Sequence, residues 1–141
     1  MSNANVNVKE VATYLVIIFV GILIASHLNV VVSGSMEPVM YRGDIVIIGD
    51  PTNIQVGDIV VYHATWFNEP VIHRVIAIGK DSNGNAVYEI KGDNNQAPDP
   101  ALVYPNQIIS KVINYPWGNG PGMAPVIIPK IGYITLWIRG L

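Results

Sequence analysis

Apolar residues follow two different patterns along this chain, and the change comes near residue 32. The run VATYLVIIFVGILIASHLNVVV, Val11–Val32, is almost continuously apolar and contains no Asp, Glu, Lys or Arg. A helix that spans a bilayer needs about 20 mostly apolar residues, whereas the apolar region of a cleavable signal peptide has only about 7–15. The run therefore predicts a retained transmembrane anchor at residues 11–32, preceded by a short N-terminal tail at residues 1–10.

Two different interpretations explain this run less well. A buried helix of a soluble protein would be shorter and would not end in the three valines Val30–Val32. A cleavage site at Ala25–Ser26 would place the large Leu23 where such sites have small residues. The orientation of the anchor is poorly specified, because Lys9 is the only Lys or Arg that precedes it.

Beyond Val32 the apolar positions form short runs separated by Gly, Asp, Asn and Pro, a pattern typical of β-strands. No helical periodicity is visible there, so we expect a mainly β domain of short antiparallel strands, a sandwich or a barrel, at residues 33–141. Two of the runs start with Gly-Asp and echo each other. The predicted strands lie within Gly43–Asp50, Gly57–Ala64, Pro70–Gly79, Asn85–Asp93 and Gln107–Asn114.

The C-terminal part is less regular. Tyr115–Pro125 is rich in Gly and Pro and predicts a loop. Val126–Leu141 is apolar, but it is short and interrupted by Pro129, Lys130 and Arg139, so it does not indicate a second membrane span. Three interpretations stay open for residues 126–141: association with a membrane surface, a final strand, or the start of a longer segment.

A turn signal gives the one piece of tertiary geometry that the sequence offers. Asn83-Gly84 favours a two-residue hairpin turn, which would place His73 opposite Asn94 and Arg74 opposite Asp93. A longer turn would shift this register by a residue or two. In either case the hairpin brings the segment 91–95 close to His73, because opposed residues lie about 5 Å apart.

Composition narrows the possible chemistry. Only 13% of residues are charged, against about 25% in typical soluble domains, and the net charge is -2. This balance offers no basic patch and predicts no nucleic-acid partner. The absence of cysteine excludes disulfides, thiolate metal sites and a cysteine nucleophile. No metal or cofactor is indicated.

A serine nucleophile is the chemistry that the remaining residues favour. Ser35 lies in a Ser-Gly-Ser-Met turn just beyond the apolar run, and a serine hydroxyl needs a base that is itself oriented by a third group. The histidines are His27 at the anchor, His63 at the end of a strand, and His73. Asp93 and Asp99 are candidate third groups, although acidic residues in such turns are usually solvated turn formers.

The combination of these segments, in this order and spacing, resembles the type I signal peptidases. Bacterial members of that family have a lysine base just before an Arg-Val pair, where this chain has His73, and the resemblance therefore favours the archaeal and endoplasmic-reticulum branch. The segments that carry the resemblance are SGSMEP at Ser33–Pro38, RGDIVII at Arg42–Ile48, GDIVVY at Gly57–Tyr62, HRV at His73–Val75 and KGDNNQAPD at Lys91–Asp99.

The resemblance implies a role for each matching residue. Ser35 would be the nucleophile, His73 the general base and Asp99 the partner of the histidine, with Asp93 in support. The hairpin geometry places Asp93 closer to His73, so the choice between the two aspartates stays open.

Three further roles complete the predicted site. Ser33 would join the Ser35 backbone N–H in holding the oxyanion, and its alternative is an ordinary turn serine. Met36 is predicted to contact substrate because it adjoins the nucleophile. Lys91 and Lys80 are the alternative bases.

The implied protein is a single-pass, membrane-anchored serine endopeptidase with its domain on the extracytoplasmic side of the cell membrane or the endoplasmic-reticulum membrane. It would remove signal peptides from secretory precursors, its expected partners besides the lipid bilayer; partner subunits stay open. A self-cleaving Ser-Lys protease is the competing enzymatic hypothesis, and the anchor and His73 argue against it. Two non-enzymatic hypotheses also stay open: a membrane-tethered β module that binds peptides, and an inactive signal-peptidase subunit.

Overall fold

The computed structural model describes residues 5–115, 124–131 and 133–140. Within them the chain forms an N-terminal helix, short strands, one turn of 3-10 helix at Pro105–Gln107 and a short C-terminal helix. In chain order the elements are α1 (Val8–Ser26), β1 (Leu28–Val30), β2 (Ile45–Gly49), β3 (Ile59–Tyr62), β4 (Val71–Lys80), β5 (Ala86–Lys91), β6 (Ile108–Val112), β7 (Asn114–Tyr115), β8 (Ala124–Pro125), β9 (Ile127–Ile128) and α2 (Tyr133–Ile138).

Helix α1 is an apolar rod of membrane-spanning length. The side chain of Asn7 caps it by accepting hydrogen bonds from the backbone N–H groups of Lys9 and Glu10. At 1.5 Å per residue its 19 residues extend about 28 Å, and none of its side chains is buried against the described part of the domain. The prediction of one N-terminal apolar helix of this length is confirmed.

The bounds of the helix differ from the predicted 11–32. It begins at Val8 and ends at Ser26, because Leu28–Val30 form strand β1, which pairs antiparallel with β2. The β-branched valines at this end favour an extended backbone, and the ladder with β2 supplies the hydrogen bonds that a continued helix would have made.

The strands form one main antiparallel sheet in the order β1-β2-β6-β3-β4-β5, with β9 also paired to β2. Strands β7 and β8 form a separate pair. The prediction of a mainly β domain of short antiparallel strands is confirmed. Each of the five predicted strand segments coincides with one observed strand, from β2 to β6 in chain order, and β4 extends one residue beyond its segment, to Lys80.

The two Gly-Asp segments form the same turn twice. Gly43 and Gly57 have φ of 91° and 97°, which a side chain would disfavour, and each precedes a buried aspartate. Asp44 accepts a hydrogen bond from the backbone N–H of Tyr41, and Asp58 from that of Gln55, three residues earlier in both cases. The repeated turn starts β2 and β3 in the same way.

The β4–β5 hairpin has a longer turn than predicted. The Asp81 N–H bonds to the Asn85 carbonyl, and the register shifts between Val75 and Ala77. Arg74 consequently pairs with Lys91 rather than Asp93, so the predicted register was wrong by two residues. The segment after β5 still reaches His73, as the sequence indicated.

The C-terminal segment contains a strand and a helix. Of the predicted loop, Tyr115 and Ala124–Pro125 belong to strands, and residues 116–123 lie outside the described residues. Strand β9 pairs antiparallel with β2, in agreement with one of the three interpretations of residues 126–141, that of a final strand. The short helix α2 was not predicted, since six residues are too few to show a helical period.

Two apolar clusters support the sheet. The first lies beneath the Ser35 turn, and the second lies between β3, β4, β5 and the loop that follows. The first contains Val31, Met36, Met40, Val46, Ile59, Val61, Ile72 and Val112; the second contains Val60, Tyr62, Val71, Val75, Tyr88, Ile90, Val103 and Ile108. Because β3 and β4 contribute to both clusters, the sheet fixes the two sides of the candidate site relative to each other.

Candidate active site

Ser35 lies on a compact turn that begins just after β1. The Val31 N–H bonds to the Asp44 carbonyl at 2.8 Å, and the Met40 N–H bonds to the Met36 carbonyl at 3.1 Å. Met36 and Met40 are completely buried, so apolar packing holds the turn from below. Ser35 is half-buried on top of it.

His73 reaches Ser35 from strand β4. Its Nε2 lies 2.9 Å from Ser35 Oγ, and its Nδ1 lies 2.8 and 2.9 Å from the two carboxylate oxygens of Asp99. A carboxylate only accepts hydrogen bonds, so we assign the imidazole proton to Nδ1 and leave Nε2 to accept the Ser35 proton. The three side chains form a continuous hydrogen-bonded chain.

Asp99 is held from two directions behind the histidine. Its backbone N–H bonds to the Ile90 carbonyl at 2.8 Å, which ties its loop to β5. Its Oδ2 accepts a 2.6 Å hydrogen bond from the hydroxyl of Tyr62, and its side chain is only 3% exposed.

Asp93 pairs with Arg74 and not with His73. The Arg74 guanidinium contacts both carboxylate oxygens at 2.8 and 2.7 Å, and also donates to the Gly57 carbonyl. Neighbouring side chains on a strand point to opposite faces, so His73 and Arg74 face different partners. The sequence geometry that placed Asp93 closer to His73 was therefore wrong, and Asp99 is the aspartate in contact with the histidine.

Ser33 lies beside the hydroxyl of Ser35. The two Oγ atoms are 3.1 Å apart, and the Ser35 backbone N–H points to Ser33 Oγ at 3.5 Å. The hydroxyl and the N–H that the resemblance paired as oxyanion donors thus lie within 3.5 Å of each other.

Asn94, in the segment after β5, also holds the Ser35 turn. The sequence analysis did not predict this role for Asn94. The Asn94 N–H bonds to the Ser35 carbonyl at 2.8 Å, and its side-chain amide bonds to the Gly34 carbonyl at 3.0 Å. Its place in the KGDNN segment was the available signal, but only the fold shows that it crosses to the serine turn.

Other predicted residues lie away from the hydroxyl. Met36 packs in the core with 0% exposure, so the structure does not support the predicted contact with substrate. Lys91 Nζ bonds to the Gly92 carbonyl at 3.2 Å, and Lys80 is exposed at the far end of β4. His27 caps α1, and His63 is exposed beyond β3. His73 is the base candidate in contact with Ser35.

A cavity of about 320 Å³ opens beside Ser35. Apolar and aromatic side chains line most of it, with one carboxylate. The lining residues are Val32, Ser33, Ser35, Trp66, Phe67, Glu69, Pro70, Val71, Ile72 and His73. The cavity is thus a concave, mostly apolar site next to the Ser35 hydroxyl, of a kind that typically binds ligands.

The family model described as signal peptidase, peptidase S26, matches residues 5–98. The chain belongs to the signal peptidase family. The match includes Ser35 and His73 and ends one residue before Asp99. Its relatives place it in the archaeal and endoplasmic-reticulum branch of the type I signal peptidases, as the histidine at position 73 indicated.

Three similar proteins illustrate this placement. An uncharacterized protein of Methanocaldococcus jannaschii is 33% identical over 83% of this chain and 86% of its own length. The signal peptidase complex catalytic subunit SEC11 of Eremothecium gossypii is 37% identical over 80% of this chain and 66% of its own. SEC11 of Plasmodium falciparum is 34% identical over 89% and 64%. The chain thus spans slightly less than two thirds of these SEC11 proteins.

Gly92 allows a very close approach between three parts of the site. A Cβ at this position would lie 2.7 Å from the Ser35 carbonyl oxygen and 2.9 Å from His73 Nε2. Real Cβ contacts are not this short, so a side chain would force the serine turn and the histidine ring apart.

We expect Gly92→Ala to lower cleavage of a signal-peptide substrate, the activity for which the family is named, by about 100-fold, since small misplacements of reacting groups cost this much. Gly79→Ala is the matched control, because a Cβ on that β4 glycine meets nothing within 4 Å. Both variants are compared by kcat/KM and by thermal unfolding. Full activity in Gly92→Ala would show that the approach is not required.

Proposed function

We propose that this protein is a serine endopeptidase that removes signal peptides from secretory precursors. The observation that carries the proposal is the 2.9 Å contact between Ser35 Oγ and His73 Nε2, with Asp99 bonded to the other ring nitrogen. This arrangement can activate a serine hydroxyl. Membership of the signal peptidase family supplies the substrate class.

The residues then divide the reaction into two proton-balanced steps. Ser35 Oγ attacks the scissile carbonyl while His73 takes its proton, and the same proton passes to the leaving amine as the C–N bond breaks. Water then attacks the Ser35 ester, giving its proton to His73, which returns it to Ser35 Oγ as the ester bond breaks. Asp99 keeps the imidazole oriented and stabilises its charged form.

The negative charge on the carbonyl oxygen needs hydrogen-bond donors during both steps. The Ser35 backbone N–H and the Ser33 hydroxyl are proposed for this role, as their closeness to each other and to Ser35 Oγ supports. The Ser33 hydroxyl would exchange its bond with Ser35 Oγ, and the Ser35 N–H its long bond with Ser33 Oγ, for bonds to the developing oxyanion. Removal of one such donor costs other proteases about 10²–10³ in kcat.

An extended substrate would reach Ser35 along an open strand edge. The ladder between β4 and β5 begins at Arg74, so the outer edge of residues 71–73 has no strand partner among the described residues. Backbone hydrogen bonds along this edge would hold a peptide in register, and the cavity beside it would select side chains next to the scissile bond.

Membrane anchoring follows from α1 in this proposal. Ser35 lies nine residues beyond Ser26, the end of the helix, and extended chain of that length reaches at most about 30 Å. A precursor held in the same bilayer by its own apolar segment would meet the enzyme at a raised effective concentration. We place the domain on the outer face of the cell membrane or the endoplasmic-reticulum membrane, with partner subunits open.

The purified protein in detergent or lipid should cleave a secretory precursor at the signal-peptide junction. Ser35→Ala should abolish cleavage, because it removes the nucleophile, while Ser82→Ala, an exposed serine in the β4–β5 turn, should leave it unchanged. The products are identified by mass spectrometry. Binding of the precursor without cleavage by the unaltered protein would instead support a peptide-binding module or an inactive subunit.

The two aspartates should differ in what their loss affects. We expect Asp99→Asn to lower kcat by about 10³–10⁴, because an amide no longer holds the imidazole in the required tautomer. Asp93→Asn should keep most of kcat and lose about 1 kcal/mol of stability, since its ion pair with Arg74 is partly exposed. Rates and chemical denaturation are measured on both variants. Equal losses of kcat would contradict these roles.

Membrane anchoring is tested by extraction of membranes with alkaline carbonate. The full-length protein should stay in the pellet. The double change Ile17→Asp, Val20→Asp should release part of it, because a charged carboxylate at the centre of a spanning helix costs about 3 kcal/mol. Complete release of the unaltered protein would contradict the anchor.

A further inference from the structure

A tyrosine hydroxyl is buried directly behind Asp99. Tyr62 is the last residue of β3 and has 0% exposure, with its ring in the second apolar cluster. Its Oη lies 2.6 Å from Asp99 Oδ2. This contact is the shortest side-chain hydrogen bond in the described part of the site, and the reaction proposed above assigns no role to it.

Because the surroundings are apolar, a hydroxyl at this position lowers the stability of the fold unless it makes a hydrogen bond. Val60, Val75 and Ile90 belong to the same cluster, and phenylalanine would fill the same volume there without a polar atom. Burial of an unpaired hydroxyl is unfavourable, so the hydrogen bond to Asp99 is the feature that distinguishes tyrosine from phenylalanine.

The bond to Asp99 determines which way the hydroxyl proton points. A carboxylate oxygen only accepts hydrogen bonds, so the Tyr62 hydroxyl donates its proton to Asp99 Oδ2. Burial, followed by the bond to Asp99, raises the pKa of Tyr62, so the hydroxyl stays protonated and remains a donor.

Asp99 needs such a donor because it lies in a loop. Its backbone bond to Ile90 fixes the main chain but leaves the carboxylate free to rotate about its side-chain bonds. Contacts from His73 and Tyr62, which come from different strands, together fix the plane of the carboxylate.

We propose that Tyr62 is a positioning residue, which acts through Asp99 to hold the His73 ring with Nδ1–H toward the carboxylate and Nε2 toward Ser35. This proposal rests on the proposed peptidase function and adds a residue to it. Tyr62 touches no reacting atom, so its loss should slow the chemical step and leave substrate binding unaffected.

The test compares Tyr62→Phe with Tyr88→Phe. Tyr88 is a buried tyrosine on β5 in the same apolar cluster, and within the described residues no hydrogen bond joins its hydroxyl to Asp99. We expect Tyr62→Phe to lower kcat about 10-fold at unchanged KM and melting temperature. Tyr88→Phe should stay within twofold of the unaltered protein.

A measurement that needs no activity keeps this proposal separate from the proposed function. In protein with ¹⁵N-labelled histidine, the His73 Nδ1–H resonance should be retained in the unaltered protein and Tyr88→Phe, and should shift or be lost by exchange in Tyr62→Phe. If the unaltered protein cleaves no precursor, the proposed peptidase function is wrong. The His73 resonance still tests whether Tyr62 positions His73 through Asp99.

Three results would overturn the positioning role. The first is an unchanged His73 resonance in Tyr62→Phe, and the second is a kcat of Tyr62→Phe within twofold of that of the unaltered protein. The third is a loss of kcat in Tyr62→Phe that Tyr88→Phe shows as well, or that accompanies a lower melting temperature of Tyr62→Phe.

Discussion

The contact between Ser35 and His73 joins two residues that are 38 positions apart, and the rest of the fold serves to make it. Neither residue lies in a segment that could place it alone. Ser35 depends on a turn packed over buried methionines, and His73 on strand β4, where it pairs with Val60 of β3. Strand β3 pairs with β4 and with β6, which in turn pairs with β2, so the two halves share one hydrogen-bonded frame. A rigid frame matters because proton transfer is sensitive to small changes in distance.

The segment after β5 closes the site from the remaining side. Asn94 bonds to the carbonyls of the serine turn, Gly92 lets that turn approach the histidine, and Asp99 returns beneath the imidazole. One short stretch thus supports both Ser35 and His73, the proposed nucleophile and base. Arg74 and Asp93 lie on the other face of the same strand region, where their ion pair ties the start of the segment to β4 and to Gly57. The assembled site therefore requires this segment to be ordered.

Much of this architecture could be predicted from the sequence, because its signals are local. The apolar run predicted α1, the short apolar runs predicted β2 to β6, and the ordered segments indicated the family and the pair Ser35 and His73. The errors came from features that depend on tertiary contacts. A five-residue turn and a register shift after Val75 moved the hairpin by two residues, and strand alternation then decided between Asp93 and Asp99. Met36 adjoins Ser35 in sequence but points into the core, and helix α2 is too short to show a period.

Strand β1 has a consequence for the protein itself. Proteases cut chain that is extended and free to align with the active site, and the stretch just beyond an apolar helix is what a signal peptidase would cut. Here that stretch, Leu28–Val30, is paired residue by residue with Ile45–Ile47 of β2. A neighbouring copy with the proposed activity would have to strip this strand from its sheet before it could bind it. In the proposed function, the fold thereby protects α1 from removal by another copy.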